Sequence, residues 1–223
     1  MAKKKKKMAS VIQVDIVSDV VCPWCWLGSK HFFDAVKKSG QAISVSWRPY
    51  MLDPAVPDGG TPYKDYMKAK FGGGSSDRFK AMREHLEAAA PDAGITFRFD
   101  DIPMRPNTMN AHRLIRWASG QDLGDAASEA LFKAYFDDLE DIGDVSVLTR
   151  IAEQIGLDGE LVAELLTRDD DKDTVMNEIN FFKSLGVSGV PCFIYAGQFA
   201  VQGAQPAETH LAAIKKAASL PTD

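Results

Sequence analysis

The sequence predicts an α/β protein in which a mostly helical segment separates two α/β halves. Strand and helix patterns alternate over the first 60 residues, helical patterns dominate residues 61–167, and strands return after residue 168. The chain has 223 residues, of which 45% are hydrophobic and 26% charged, and these fractions are typical of a globular protein with its own core. It contains no apolar stretch of about 18 residues, so no membrane-spanning helix is expected.

The first half has the pattern strand–helix–strand. Residues 11–17 are rich in Val and Ile and predict a strand. A helix is expected from Pro23, because proline suits the first turn of a helix, to the break at Gly40. Residues 43–51 alternate well enough for a second strand, which a proline-rich segment ends.

Residues 61–167 are predicted to be mostly helical. Apolar residues recur there at helical spacing, and glycines or a proline interrupt the pattern. The expected helices cover residues 62–71, 76–90, 107–119, 124–140, 145–155 and 159–167, and one extended piece covers residues 95–99.

The closing part has the pattern helix–strand–strand–helix, at residues 169–185, 191–195, 199–201 and 206–220. Without the helical middle, the element order is βαβ followed by αββα, which is the order of a thioredoxin fold. The prediction is therefore an α/β, thioredoxin-like fold with an inserted α-helical domain. Its parts are a disordered basic tail at residues 1–9, the two halves of the thioredoxin-like domain at 10–60 and 168–220, and the helical insertion domain at 61–167.

The charge of the chain is unevenly spread. Five of the 26 basic residues are the lysines at 3–7, so the rest has 21 basic and 31 acidic residues, a net charge of −10. A body this acidic is a poor partner for a nucleic-acid backbone. The lysines lack the apolar segment of a signal peptide behind them, so the expected location is the cytoplasm, where cysteines stay reduced unless they do redox chemistry.

The segment Cys22-Pro23-Trp24-Cys25 lies between the first strand and the first helix, a position typical of redox-active dithiols. Cys22 is expected at the exposed start of the helix, where unpaired backbone N–H groups and the helix dipole favour a thiolate. Cys25 follows three residues later on the same helix face, so the two sulfur atoms can reach disulfide distance. We expect Cys22 to attack a disulfide, Cys25 to resolve the mixed disulfide, and Trp24 to contact the substrate.

A zinc site and a pair of inert core cysteines are the other interpretations of this motif. Zinc would need two further ligands, and the remaining candidates do not occur at a zinc-like spacing: His31, His85, His112, His210 and Cys192. Inert core cysteines would not account for the position between a strand and a helix. No metal site is therefore expected.

Three further segments accompany the dithiol motif: Pro-Asn-Thr-Met-Asn-Ala-His-Arg at 106–113, Gly-Val-Ser-Gly-Val-Pro at 186–191, and Gly-Ala-Gln at 203–205. Together with the motif they resemble the DsbA-like thioredoxin family, and within it the FrnE-like branch, over about residues 11–220. The resemblance implies a thioredoxin fold with a helical insertion and thiol–disulfide oxidoreductase activity. It also implies a cis Pro191, which places the Val190 backbone beside Cys22, where an extended substrate can add strand-like hydrogen bonds.

The same superfamily includes 2-hydroxychromene-2-carboxylate isomerases and kappa-class glutathione transferases. These enzymes have a serine at the position of Cys22 and lack the second cysteine, so the pair Cys22 and Cys25 favours dithiol chemistry. A thiol–disulfide oxidoreductase, acting on a disulfide-bonded protein or a small thiol, is therefore the expected function. A glutathione-dependent isomerase or transferase of a small aromatic molecule and a non-catalytic interaction module stay open as alternatives. No cofactor is expected apart from glutathione as a co-substrate, and the sequence does not indicate an oligomeric state.

Two further segments contain candidate site residues. Asn107 is a good N-cap for the helix at 107–119, and His112 and Arg113 are expected on the surface of that helix. A functional interpretation places the first turn of this helix over the dithiol, where Asn107 would line a substrate or glutathione cleft. Cys192 is expected to be a small buried residue near the active site, with a third redox role as the alternative.

Overall fold

The structure is a computed structural model that describes residues 11–72 and 77–221. The predicted basic tail at residues 1–9 lies outside the described residues. The elements up to the middle of the insertion are β1 (Ile12–Ser18), α1 (Pro23–Ser39), β2 (Ile43–Pro49), β3 (Thr61–Pro62), α2 (Tyr63–Phe71), α3 (Asp77–Ala89) and β4 (Met104–Arg105). The later elements are α4 (Met109–Ser119), α5 (Gly124–Phe136), α6 (Val145–Ile155), α7 (Gly159–Leu166), α8 (Lys172–Ser184), β5 (Cys192–Tyr195), β6 (Phe199–Gln202) and α9 (Ala207–Ala218).

The two α/β halves meet in one four-stranded sheet with the strand order β2-β1-β5-β6. β1 and β2 are parallel, as expected for strands joined by a crossover helix, whereas β5 and β6 pair antiparallel. On one face Ile16 packs with α1 and α9, and Phe32 of α1 stacks on Phe193 of β5 at 5.4 Å. On the other face Val17 packs against Phe182 of α8. This arrangement confirms the predicted α/β, thioredoxin-like fold with inserted helices.

The helical insertion and the sheet half share one hydrophobic core. Trp26 of α1 stacks on Phe132 and Phe136 of α5, with ring centroids 6.2 and 5.9 Å apart, and meets Phe97 edge-on at 5.6 Å. The Trp26 indole also donates a hydrogen bond to Glu129 at 3.1 Å. Because these contacts start one residue after the dithiol motif, the insertion is fixed in position relative to Cys22 and Cys25. The domain boundaries stay a prediction.

Two helices are shorter than the sequence pattern indicates. The helix expected at 124–140 ends at Phe136, and Leu139 has a left-handed φ of 63° that no α-helix accommodates. The helix expected at 169–185 begins only after Asp171, which has a φ of 62°. In the first case Leu139 continues the apolar pattern past the point where the backbone has turned. In the second case residues 169–171 are all aspartate, a residue type that suits the segment just before a helix as well as its first turn.

The extended part of the insertion also differs from the prediction. Residues 95–99 have no strand partner within the part of the chain that the structure describes. The N–H of Ile95 donates to the carbonyl of Ala90 at the end of α3, and the N–H of Arg98 donates to the carbonyl of Phe136, both at 3.0 Å. Instead, the two-residue strands β3 and β4 pair with each other. Strands this short give no alternating pattern, so the sequence does not predict them.

Helix α4 buries both polar residues that were expected on its surface. It packs between β2, α5 and α8, which leaves His112 4% and Arg113 0% exposed. The Arg113 guanidinium donates to the carbonyls of Leu165, Arg168 and Asp170 at 2.7, 2.9 and 2.6 Å. These carbonyls belong to the end of α7 and the turn before α8, so Arg113 ties the insertion to the start of the second half.

Candidate active site

Cys22 is the N-cap residue of α1, and Pro23 begins that helix. The backbone of Cys22 is extended, with φ −96° and ψ 111°, and its carbonyl accepts the N–H of Cys25 at 3.0 Å. Cys22 is only 4% exposed, which corrects the expectation of an exposed helix start. The loop at Val190 and the helical insertion both cover Cys22. The local sequence around the helix start indicates neither of these contacts, because both segments are distant in the chain.

The loop before β5 reaches the sulfur of Cys22. The thiol of Cys22 lies 3.8 Å from the carbonyl oxygen of Val190, within the range of a weak S–H···O hydrogen bond. The Val190–Pro191 peptide bond is cis. Gly28 of α1 permits this approach, because a Cβ there would lie 3.1 Å from Cγ of Pro191 and 3.2 Å from Cα of Ala204. The structure thus brings together the cysteine and the loop, although 168 residues separate them.

Cys25 lies beneath Cys22, inside the first turn of α1, and is 1% exposed. Burial raises the pKa of the Cys25 thiol well above its ordinary value, and the sulfur of Cys22 beside it raises it further. The Ser18 hydroxyl and the Asp19 backbone act in the opposite direction and lower this pKa. Cys25 is therefore held as a thiol, with the Ser18 hydroxyl and the Asp19 backbone beside its sulfur.

A buried carboxylate, Asp19, lies next to the dithiol motif. Its Oδ2 accepts the N–H of Leu52 at 2.8 Å, and its Oδ1 is 3.4 Å from Nε2 of His112. The same nitrogen is 2.9 Å from the carbonyl oxygen of Tyr50, so Nε2 carries the hydrogen and donates it there. Burial raises the pKa of Asp19, but the contact with His112, the charge of Arg105 and the Leu52 amide outweigh burial and hold it below its ordinary value.

Asp19 and its partners are site residues that the sequence analysis does not identify. The one local signal is that Asp19 stands three residues before the motif, with its carbonyl accepting the N–H of Cys22 at 3.0 Å. Arg105 and His112 reach Asp19 from the distant elements β4 and α4. Only the folded chain brings these charges together.

A cavity of about 300 Å³ opens beside Cys22, between the start of α1 and the insertion. Most of its lining is apolar, with aromatic side chains that include Trp24, Tyr63, Phe71, Phe99, Tyr135 and Phe136. Trp24 is half-buried, and its ring lies 5.5 Å from that of His85. Pro23 and Val190 also contribute to the wall, so every motif residue except the buried Cys25 faces this space.

Asn107 is not brought together with Cys22. Thr108, not Asn107, is the N-cap of α4, and the Asn107 side chain accepts the N–H of Met109 at 3.0 Å and donates to the carbonyl of Val56 at 2.7 Å. It lines a separate hollow of about 250 Å³. The expected position over the dithiol is therefore not observed, because the segment before α4 turns toward the loop after β2.

Cys192 is fully buried in a small core cluster with Val17, Tyr50 and Phe182. Burial raises the pKa of its thiol to about 11, although Gln202 opposes this shift. The side chain has the surroundings of a small apolar core residue, and it does not line the cavity at Cys22.

All three cysteines are free thiols, so the structure shows the dithiol form of the motif. Within residues 11–72 and 77–221, no group of three His, Cys, Asp or Glu side chains could hold a metal ion. Over the same residues, none of the helices has both the length and the apolar character that crossing a membrane requires.

The chain belongs to the family of DSBA-like thioredoxin domains, whose model matches residues 13–215. A solved structure titled probable DsbA oxidoreductase from Streptomyces coelicolor is 30% identical, with a TM-score of 0.84 over 95% of this chain and 92% of that one. YwbO of Bacillus subtilis (strain 168) is 26% identical over 86% of this chain and 90% of its own length. The cytosolic disulfide reductase DsbM from Pseudomonas aeruginosa, solved with GSH, shares the fold at 16% identity, with a TM-score of 0.68 over 93% of this chain and all of DsbM.

Proposed function

We propose that this protein catalyses thiol–disulfide exchange, with Cys22 as the nucleophile and Cys25 as the resolving cysteine. The observation that carries the proposal is the position of the Cys22 thiol at the N-terminus of α1, between the Val190 carbonyl and an open cavity. Cys25 lies on the inner side of the same turn and has no access to the cavity. Only Cys22 can therefore meet a substrate first.

The exchange consists of two displacements at sulfur. The Cys22 thiolate attacks one sulfur of a substrate disulfide, a Cys22–substrate bond forms, and the other substrate sulfur leaves as a thiolate. Cys25 then loses its proton and attacks Sγ of Cys22, which forms the Cys22–Cys25 disulfide and releases the second substrate thiolate. Two electrons pass from the dithiol to the substrate, and the reverse sequence oxidises a substrate dithiol. Because burial raises the pKa of Cys25, its deprotonation is the demanding part of the second displacement.

The substrate is a disulfide-bonded protein or a small thiol compound. The backbone at Val190, beside the reacting sulfur, supports pairing with an extended segment of a protein substrate. Glutathione is the proposed co-substrate that returns the pair to its starting redox state, and the neighbouring fold of DsbM, solved with GSH, supports this choice. The FrnE-like branch and the cytoplasmic location stay predictions.

Single cysteine variants test the division of labour. We expect Cys22→Ser to abolish glutathione-dependent reduction of insulin, and Cys25→Ser to accumulate mixed disulfides through Cys22, identified by mass spectrometry of non-reduced peptides. Cys192→Ala is the matched control, because it removes a thiol that does not line the cavity, and it should keep the wild-type rate.

The same variants separate the proposal from its alternatives. A glutathione-dependent isomerase or transferase would retain activity after Cys25→Ser, since its chemistry needs no second thiol. A non-catalytic module would exchange with neither insulin nor glutathione disulfide. Near-normal exchange by Cys22→Ser, or complexes trapped through Cys25, would contradict the assigned roles.

A further inference from the structure

Arg105, on the short strand β4, has an unusual environment for a guanidinium group. It is 5% exposed, and its Nε has no hydrogen-bond partner in the described part of the chain. It also forms no salt bridge with a described carboxylate, although the charge of the buried Asp19 acts on it. A buried cation with an unused donor is costly, because burial removes water that would otherwise satisfy it.

This guanidinium lines the same 300 Å³ cavity as Cys22. Its central carbon lies 5.1 Å from the ring centroid of Tyr66, and the hydroxyls of Tyr66 and Tyr135 lie within hydrogen-bonding reach of the group. Tyrosine hydroxyls and a guanidinium are donors that suit an oxyanion. Arg105 and these two tyrosines therefore give the cavity the chemistry of a carboxylate site, in the same space that Cys22 lines.

The other two cations of the lining are already paired. Arg83 donates to both carboxylate oxygens of Asp100, each at 2.6 Å. Lys70 forms a salt bridge with Asp53 at 3.2 Å and donates to the hydroxyl of Tyr66 at 2.7 Å. Among the described residues of this lining, Arg105 is thus the cation that has no carboxylate within salt-bridge distance, so its guanidinium is available to the carboxylate of a ligand.

The remaining lining selects for a flat apolar body. Trp24, Phe99 and Phe136 present aromatic surface, and most of the accessible lining is apolar. Such walls favour an aromatic ring over a hydrated peptide segment. The volume is at the lower end of the range for small-molecule pockets, which suits a compound of one or two rings.

We propose that the cavity binds small aromatic thiols and disulfides that carry one carboxylate per ring, with the carboxylate at Arg105 and the sulfur at Cys22. The inference rests on the proposed exchange function and names a substrate class for it. Cys22 forms a mixed disulfide with one aryl sulfur and releases the other as an aryl thiolate. Cys25 then displaces the bound aryl thiolate, so one aryl disulfide is reduced to two thiols as the Cys22–Cys25 disulfide forms.

Two disulfides that differ in charge provide the test. The reduced full-length protein is mixed with 5,5′-dithiobis(2-nitrobenzoate), whose rings carry carboxylates, or with 4,4′-dithiodipyridine, which is neutral. Each rate, followed by the absorbance of the released product, is divided by the rate of glutathione with the same reagent. We expect Arg105→Met to lower the normalised rate with the carboxylated reagent about 10- to 100-fold, as loss of a charged hydrogen bond implies, and to change the neutral reagent less than about threefold.

Further variants and a ligand experiment distinguish a direct contact between Arg105 and the carboxylate from general electrostatic attraction and from misfolding of the variant. Arg105→Lys should restore part of the rate, whereas Arg83→Met, which removes a cation of the same lining, should not reproduce the selective loss. In the wild-type protein, benzoate should slow alkylation of Cys22 by iodoacetamide, and benzamide should not. Equal effects on both reagents together with equal protection by both ligands would overturn the inference. Failure of both reagents to react would instead overturn the proposed function.

Discussion

A buried histidine outside the cavity at Cys22 is expected to make the protein sensitive to mild acid. His210 of α9 is completely buried, and its Nδ1 lies 2.7 Å from the hydroxyl of Tyr195. Its Nε2 has no partner within the described residues, and the rings of Phe32 and Phe193 lie 5.7 and 4.5 Å away. A neutral imidazole fits this site, with Nδ1 accepting from the tyrosine, whereas an imidazolium would lose that bond.

The magnitude follows from the shift of one pKa. Burial, and after it the charge of His31, lowers the pKa of His210 from 6.5 to about 4. Between these values the unfolded chain binds a proton that the folded chain does not, so the free energy of unfolding falls as the pH falls. The full stabilisation is present above about pH 6.5, about 2 kcal/mol of it is lost by pH 5, and about 3 kcal/mol by pH 4. For a chain of this size, the loss at pH 5 corresponds to a melting temperature lowered by about 4–8 °C.

Urea unfolding at pH 7.5, 6, 5 and 4.5, compared between the wild type and His210→Asn, measures this contribution. The amide oxygen of asparagine can take the place of Nδ1 as acceptor for Tyr195 and does not titrate in this range. We expect the variant to be less stable than the wild type at pH 7.5 and to lose less stability on acidification. Parallel pH profiles for the two proteins would refute the reasoning, because they would show that another group determines the acid sensitivity.

Two further predictions concern residues packed around the active site. Ser18→Ala should raise the pKa of Cys25 and slow its attack on a preformed mixed disulfide by about 2- to 10-fold at neutral pH, and this loss of rate should shrink in alkaline solution. The control variant Ser29→Ala should leave the rate unchanged. Single-turnover kinetics measured against pH test this, and a loss of rate that is the same at every pH would contradict the prediction. Arg113→Met should lower the free energy of unfolding by about 3–5 kcal/mol, since buried carbonyls lose their donor. Arg116→Met, which removes an exposed cation from the same helix, should cost less than about 1 kcal/mol in the same urea titration.

The part of the site that sequence could predict is the part encoded locally. The dithiol motif stands at a strand-to-helix junction, so the positions of Cys22 and Cys25 follow from a short pattern. The role of Pro191 depends on the resemblance of several segments, and the cis bond agrees with it. The sheet follows from βαβ and αββα patterns, because these signals lie within single strands and helices.

The remainder depends on contacts between distant segments. Asp19 from the segment after β1, His112 from α4 and Arg105 from β4 come together, and no single segment contains a pattern that predicts this. His112 and Arg113 were predicted to lie on the surface, and this was wrong for the same reason. α4 packs against other elements on several sides, so it buries polar residues that would stay exposed if only its apolar face were covered. Asn107 was expected to be the N-cap of α4, but the N-cap is the next residue, Thr108, and the Asn107 side chain donates to the carbonyl of Val56 instead.

The contact between Cys22 and Val190 has a consequence for how the protein is made. At about 5–20 residues per second, the ribosome adds Val190 roughly 8–34 s after Cys22, because 168 positions separate them. During that interval the emerging chain has its dithiol but lacks the loop that covers it. The Cys22 thiol therefore gains the cover of the Val190 loop only as translation nears its end. Expression yield should therefore respond to the redox state of the translating compartment more than the stability of the finished protein does.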